Sequence, residues 1–130
     1  MRIFFILAIS AFAMSFQDID YAGFSTTLKS GNAKLLAEYF DDHIELTIKG
    51  NEYDIQNNYS KVQARNILAD FFQKIDVQDF EAKINGEHKW TRYVIGYLTG
   101  AEDQYRTLVR YVNEDGTIKI QELELTLENE

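Results

Sequence analysis

Between Tyr59 and Ile75 the polar and apolar positions follow a helical period. Ala64, Ile67, Leu68, Phe71, Phe72 and Ile75 recur at spacings of three and four, and Lys61, Arg65, Asn66, Asp70, Gln73 and Lys74 take the other side. Ser60, three residues before Gln63, has the spacing of a capping box, in which each side chain satisfies a backbone N–H that the first helical turn leaves open. Two adjacent phenylalanines, each able to bury on the order of 150–250 Å², predict that this helix closes the main core against a sheet.

Upstream, Ile19, Ala22, Phe24 and Leu28 are compatible with a helix stopped by Ser30-Gly31, and Asn32 is placed to cap a second, AKLLAEYF, with Leu35, Leu36, Tyr39 and Phe40 on one side. Ile44, Leu46 and Ile48 then alternate with His43, Glu45, Thr47 and Lys49, the period of a half-buried strand. Gly50-Asn51 turns it into a shorter strand carrying Tyr53 and Ile55, and Gln56-Asn57-Asn58 is expected to lead out of it into the capped helix.

After Ile75 the period drops to two. Phe80, Ala82 and Ile84 alternate up to a break at Asn85-Gly86; Trp90 to Thr99 is apolar or aromatic in both phases, which predicts a strand covered on both sides with a bend at Gly96. A turn at Gly100 to Asp103 precedes QYRTLVRYV, and Asp115-Gly116 is the sharpest hairpin signal in the chain. In the last strand Ile118 and Ile120 share one phase and Leu123, Leu125 and Leu127 the other, so a β-bulge is expected at Gln121-Glu122. The fold class is therefore α+β, order α-α-β-β-α-β-β-β-β, with a curved, mostly antiparallel sheet on about three helices.

The amino terminus changes the compartment. Arg2 precedes an apolar run, Ile3 to Met14, closed by Ala11-Phe12-Ala13 or Ala13-Met14-Ser15, the pattern of a cleavable signal peptide over residues 1–15. The run falls short of the ~20 residues of a membrane span, so residues 16–130 are expected to form one exported domain, periplasmic or extracellular and free of the membrane. With no cysteine, there is no disulfide framework, thiolate zinc site, cysteine nucleophile or lipid-modified cysteine. Thirteen basic against 21 acidic residues, a net charge of −8, and the lack of a basic cluster exclude nucleic acid as an expected partner.

That order of elements is similar to the cystatin-like cone of the nuclear transport factor 2-like superfamily. The leader together with GNAKLLAEYFDDHIELTI, YSKVQARNILADFF, YVIGYLTG and YRTLVRYV resembles a family of small exported Bacteroidota proteins known as a domain of unknown function. The superfamily holds isomerases, dehydratases, immunity and transport proteins, so the resemblance implies a fold and a possible homodimer through the sheet face, but no catalytic residue.

Candidate chemistry is sparse. Asn113, Asp115, Gly116 and Glu122 match four positions of a calcium loop, yet Tyr111 stands where its first carboxylate belongs and both flanks alternate as strands, which predicts a hairpin turn. His43 and His88 are not at metal-ligand spacing, and no nucleophile elbow or phosphate loop occurs, so no metal or cofactor is expected. Asp41, Asp42 and His43 could supply an acid/base group with Tyr39 or Tyr97 as donor, as in an isomerase or hydrolase; otherwise they end a helix and face water. Tyr93, Tyr97, Tyr105 and Tyr111 either line a ligand pocket or fill the core. Arg106 and Arg110 share a strand face with Leu108 between them, as a pocket anchor beside Glu124 or as a solvated charge ladder. The ligand-binding candidates are Tyr39, His43, Tyr97 and Arg106, within a non-catalytic module for a small ligand or a protein partner.

Overall fold

In the computed structural model, residues 20–128 are described; the expected leader and its cleavage site lie outside them. The elements are α1 (Ala22–Lys29), α2 (Ala33–Ala37), β1 (Phe40–Gly50), β2 (Tyr53–Ser60), α3 (Lys61–Ile75), β3 (Asp79–His88), β4 (Thr91–Thr99), β5 (Gln104–Glu114) and β6 (Thr117–Leu127), in the expected order. The strands form one curved, unclosed sheet, β2-β1-β6-β5-β4-β3, antiparallel throughout except where β1 runs parallel to β6.

Local chemistry sets the helix ends. Ser60 Oγ accepts from the Gln63 N–H and the Gln63 side chain accepts from the Ser60 N–H, completing the capping box of α3. α1 stops at Gly31 (φ +66°) in a Schellman arrangement: the Gly31 N–H donates to the Leu28 carbonyl and the Asn32 N–H to that of Thr27.

Ala64, Leu68, Phe71 and Phe72 of α3 are buried against the inner face of the sheet, with Ile44, Leu46, Ile48, Val109, Leu123 and Leu125. Phe71 stacks edge-on to both Tyr53 and Tyr105 at centroid distances of 5.0 Å, and Phe24 of α1 meets Tyr111 edge-on at 5.1 Å. Aromatic rings therefore fill the inside of the cone.

Two irregularities bend the sheet where expected. β6 has one residue more than β5 across Gln121, because Arg110 pairs with Glu122 and Tyr111 with Ile120. Gly96 faces a register shift in β3 between Ala82 and Ile84, and a Cβ there would lie 2.2 Å from the Glu81 carbonyl oxygen, so only glycine lets the strands close over that bulge.

Four expectations need correction. α2 is a five-residue helix that ends before Tyr39: the Ile120 N–H donates to the Tyr39 carbonyl at 2.7 Å, so β6 captures the chain and Phe40 opens a strand, leaving Leu35 45% exposed. β2 does not end at Ile55; Gln56, Asn57 and Asn58 continue it to Ser60, as polar residues can on a sheet edge. β3 passes through Asn85-Gly86 to His88 because Gly86 pairs with Tyr93, whose hydroxyl would stand 2.6 Å from a Cβ at that position; the turn is at Lys89 (φ +59°) and Trp90. β4 is covered on one side only: Val94, Gly96 and Leu98 are buried, whereas Tyr93, Ile95 and Tyr97 are half-exposed on the outer face.

Candidate functional site

The four ligand-binding candidates do not converge. Tyr39 follows α2, half-buried against Phe24 on the helical side of the sheet. His43 is exposed on β1, and Tyr97 and Arg106 are cross-strand neighbours on the outer face, away from the packed interior. The proposed acid/base group is also dispersed. Between Phe40 and Glu45, β1 makes five residue steps while β6 makes two, and Asp41 is occupied in that detour, accepting from the Asp42 N–H at 2.8 Å and from Gln121 Nε2 at 3.2 Å. Those bonds, the Asp42 N–H first, hold the Asp41 carboxyl below its ordinary range, while Asp42 and His43 face water.

The tyrosines divide by strand phase. Tyr105 and Tyr111 point inward as core, and Tyr93 and Tyr97 outward. Burial raises the Tyr105 hydroxyl, which accepts from Asn51 Nδ2 at 2.7 Å. Burial and then the carboxylate of Asp70, 2.7 Å away, push Tyr53 up to about 12.

The pocket-anchor reading of Arg106 is not met: its side chain is exposed. Arg110 instead ties three strands together, donating to Glu122 (2.9 Å) and Gln121 (3.1 Å) on β6 and to Glu45 (3.4 Å) on β1. The segment that matches four positions of a calcium loop is the β5–β6 hairpin turn, with Asp115 (φ +56°) and Gly116 (φ +91°) at its tip and the Asn113 side chain accepting from the Gly116 N–H. Among the described residues no group of three or more histidines and carboxylates is placed to hold a metal.

Three side chains converge on a carboxylate that the periodicity gave no reason to choose. Asp20, just before α1, has a side chain only 15% exposed. Tyr111 donates to its Oδ1 at 2.5 Å, and Arg92 Nη1 and Asn113 Nδ2 donate to its Oδ2 at 2.6 and 3.0 Å. Burial disfavours the charge on Asp20, but Tyr111, Asn113 and Arg92 together outweigh it and the carboxyl titrates below its ordinary value. The Tyr111 hydroxyl is driven up, first by burial and then by Asp20. Arg92 also meets Glu87 at 3.2 Å, and a cleft of about 410 Å³ opens here between Asp20, Asn85, Gly86, Glu87, Arg92 and Tyr111. Asp20 missed selection because a lone carboxylate before a helix has no spacing signal; its partners are 72, 91 and 93 residues away.

The profile of a domain of unknown function, DUF4783, matches residues 22–126, nearly all of the described chain. The chain belongs to the DUF4783 family. A DUF4783 family protein from Bacteroides ovatus is 25% identical, with a TM-score of 0.75 over 84% of this chain and 96% of that one. More distant likenesses, both 11% identical, show the fold alone. One is a domain of unknown function with a cystatin-like fold from Nostoc punctiforme (TM-score 0.63; 90% of this chain, 78% of that one). The other is an NTF2-like protein of unknown function from Cytophaga hutchinsonii (TM-score 0.57; 84% and 87%). No curated protein matches. The DUF4783 chain thus has the cone expected from its elements.

Proposed function

We propose that this chain is an exported, non-catalytic interaction module that associates with a second copy of itself through the outer face of the sheet. The supporting observation is where the apolar surface is left. Rings fill the cone, while Ile84, 56% exposed, continues on the outer face into Ile95 and Leu108 of the next strands, flanked by Tyr93 and Tyr97. Beside that row stand Arg106 and Glu124, neither in an ion pair among the described residues. Arg106 and Glu124 are diagonal neighbours across β5 and β6, so a two-fold axis crossing the row obliquely between them would pair Arg106 of each copy with Glu124 of the other and make one patch complementary to itself.

An enzymatic reading of the isomerase or hydrolase kind has less support. The best-buried carboxylate of the polar cluster, Asp20, already accepts three hydrogen bonds within the protein, which hold it as an ionised structural acceptor and make it a weak base toward a substrate proton.

Light scattering of the purified protein over a range of concentrations tests the association. A dimer that Ile95→Lys or Arg106→Glu converts to a monomer with unchanged circular dichroism is expected, and Arg106→Glu with Glu124→Arg restores it. A monomer at every concentration overturns the reading. The export component is tested separately by expressing the full chain in a Gram-negative host: a periplasmic product shortened near residue 13 or 15 is expected, and an uncleaved cytoplasmic one refutes it.

A further inference from the structure

We propose that the cleft between the start of α1 and the β3–β4 hairpin is a saccharide-binding site, distinct from the outer sheet face. The chemistry of its lining narrows the ligand. Asp20 and Glu87 carry two negative charges and Arg92, clamped between them at 2.6 and 3.2 Å, one positive charge. An anionic ligand meets two carboxylates, a bare cation meets a guanidinium, and an apolar ligand finds mostly planar polar groups. An uncharged ligand whose neighbouring groups both donate and accept suits all of them, which is what the vicinal hydroxyls of a sugar ring do.

Groups are left over to receive it. The Asn85 amide makes no hydrogen bond among the described residues, and Glu87 uses only Oε2, toward Arg92. Arg92 itself is held fixed, so little side-chain freedom is lost on binding. Two positions before Arg92, at the tip of the same hairpin, Trp90 is 79% exposed, the largest exposure among the apolar side chains described. Trp90 does not line the cleft but stands at the turn one strand pair beyond Glu87 and Arg92, and a ring of that size in water is a surface on which the C–H face of a pyranose extending from the cleft can stack.

Trp90 is the single tryptophan of the chain, so its emission reports on the tip of this hairpin alone. Titrating the purified protein with cellohexaose, maltohexaose and chitohexaose to about 10 mM, a range that captures weak binding, is expected to give saturable quenching or a blue shift with at least one of them. Asn85→Ala and Glu87→Gln are each expected to weaken that binding about tenfold or more with the melting temperature unchanged. Trp90→Phe, followed by calorimetry, retains more affinity than Trp90→Ala. No change with any of the three sugars overturns the proposal, as does a change that both cleft variants leave intact. Neither result bears on the association of the outer face, which Ile95→Lys probes independently.

Discussion

The Tyr111 hydroxyl and the Asp20 carboxylate, 91 residues apart in sequence, are joined by a 2.5 Å hydrogen bond that fastens the start of α1 to the inner face of β5. Removing the hydroxyl leaves a largely buried carboxylate one donor short. Tyr111→Phe is expected to cost roughly 1.5–3 kcal/mol, the range for a hydrogen bond to a charged group, measured by urea unfolding near neutral pH.

The same pair predicts a pH dependence. Asp20 titrates lower in the folded protein than in the unfolded chain, so its contribution is complete above the ordinary aspartate pKa of about 4 and fades as pH falls through the folded value. Tyr111 titrates higher when folded, so its contribution is complete below the ordinary tyrosine pKa of about 10 and fades as pH rises beyond it. Unfolding free energies of wild type and Asp20→Asn should converge below pH ~4; parallel curves there contradict the assignment.

Ser60→Ala removes half of the capping box of α3 and is expected to cost about 1 kcal/mol. Gln63→Ala takes away the reciprocal bond and should cost less, because the Ser60 N–H lies at an exposed site where water can replace the partner. Thermal unfolding of the two variants ranks them.

Gly96→Ala and Gly116→Ala separate two uses of glycine. The first drives a methyl into the Glu81 carbonyl at 2.2 Å and is expected to cost about 1–3 kcal/mol or more. At the second the space is open but φ is +91°, so the cost is backbone strain alone, about 1 kcal/mol. Equal destabilisation of the two contradicts the steric account of the β3 bulge.

Phe71→Ala should be the most damaging single change in α3. The ring is fully buried between Tyr53 and Tyr105, and truncation leaves a cavity costing about 3–5 kcal/mol. Val62→Ala, on the exposed side of the same helix, should be within about 0.5 kcal/mol of wild type in denaturant melts.

The sequence made the fold more legible than the site. Phe71, Phe72 and the Ser60 cap announce α3 because helix period and capping act within one or two turns, and the phase slip at Gln121 announces a bulge because side-chain alternation is local too. Where the forecast went wrong, a distant partner had decided. Ile120 ends α2 by binding the Tyr39 carbonyl, and β1 keeps Asn57 and Asn58 in a strand that their own propensity opposes. The Asp20 cluster is wholly of this kind: Arg92, Tyr111 and Asn113 arrive from two strands by topology, and no spacing in the chain encodes their meeting.

β6, the last strand in chain order among the described residues, is seated in the middle of the sheet, with β1 on one side and β5 on the other. Until Leu123 and Leu125 take their places, the β1–β2 ribbon packs on α3 through Tyr53 and Phe71 but has no strand joining it to β5, so the core cannot be completed early. Closure of the sheet therefore waits on β6, and its loss would part β1 from β5 and open the sheet down the middle.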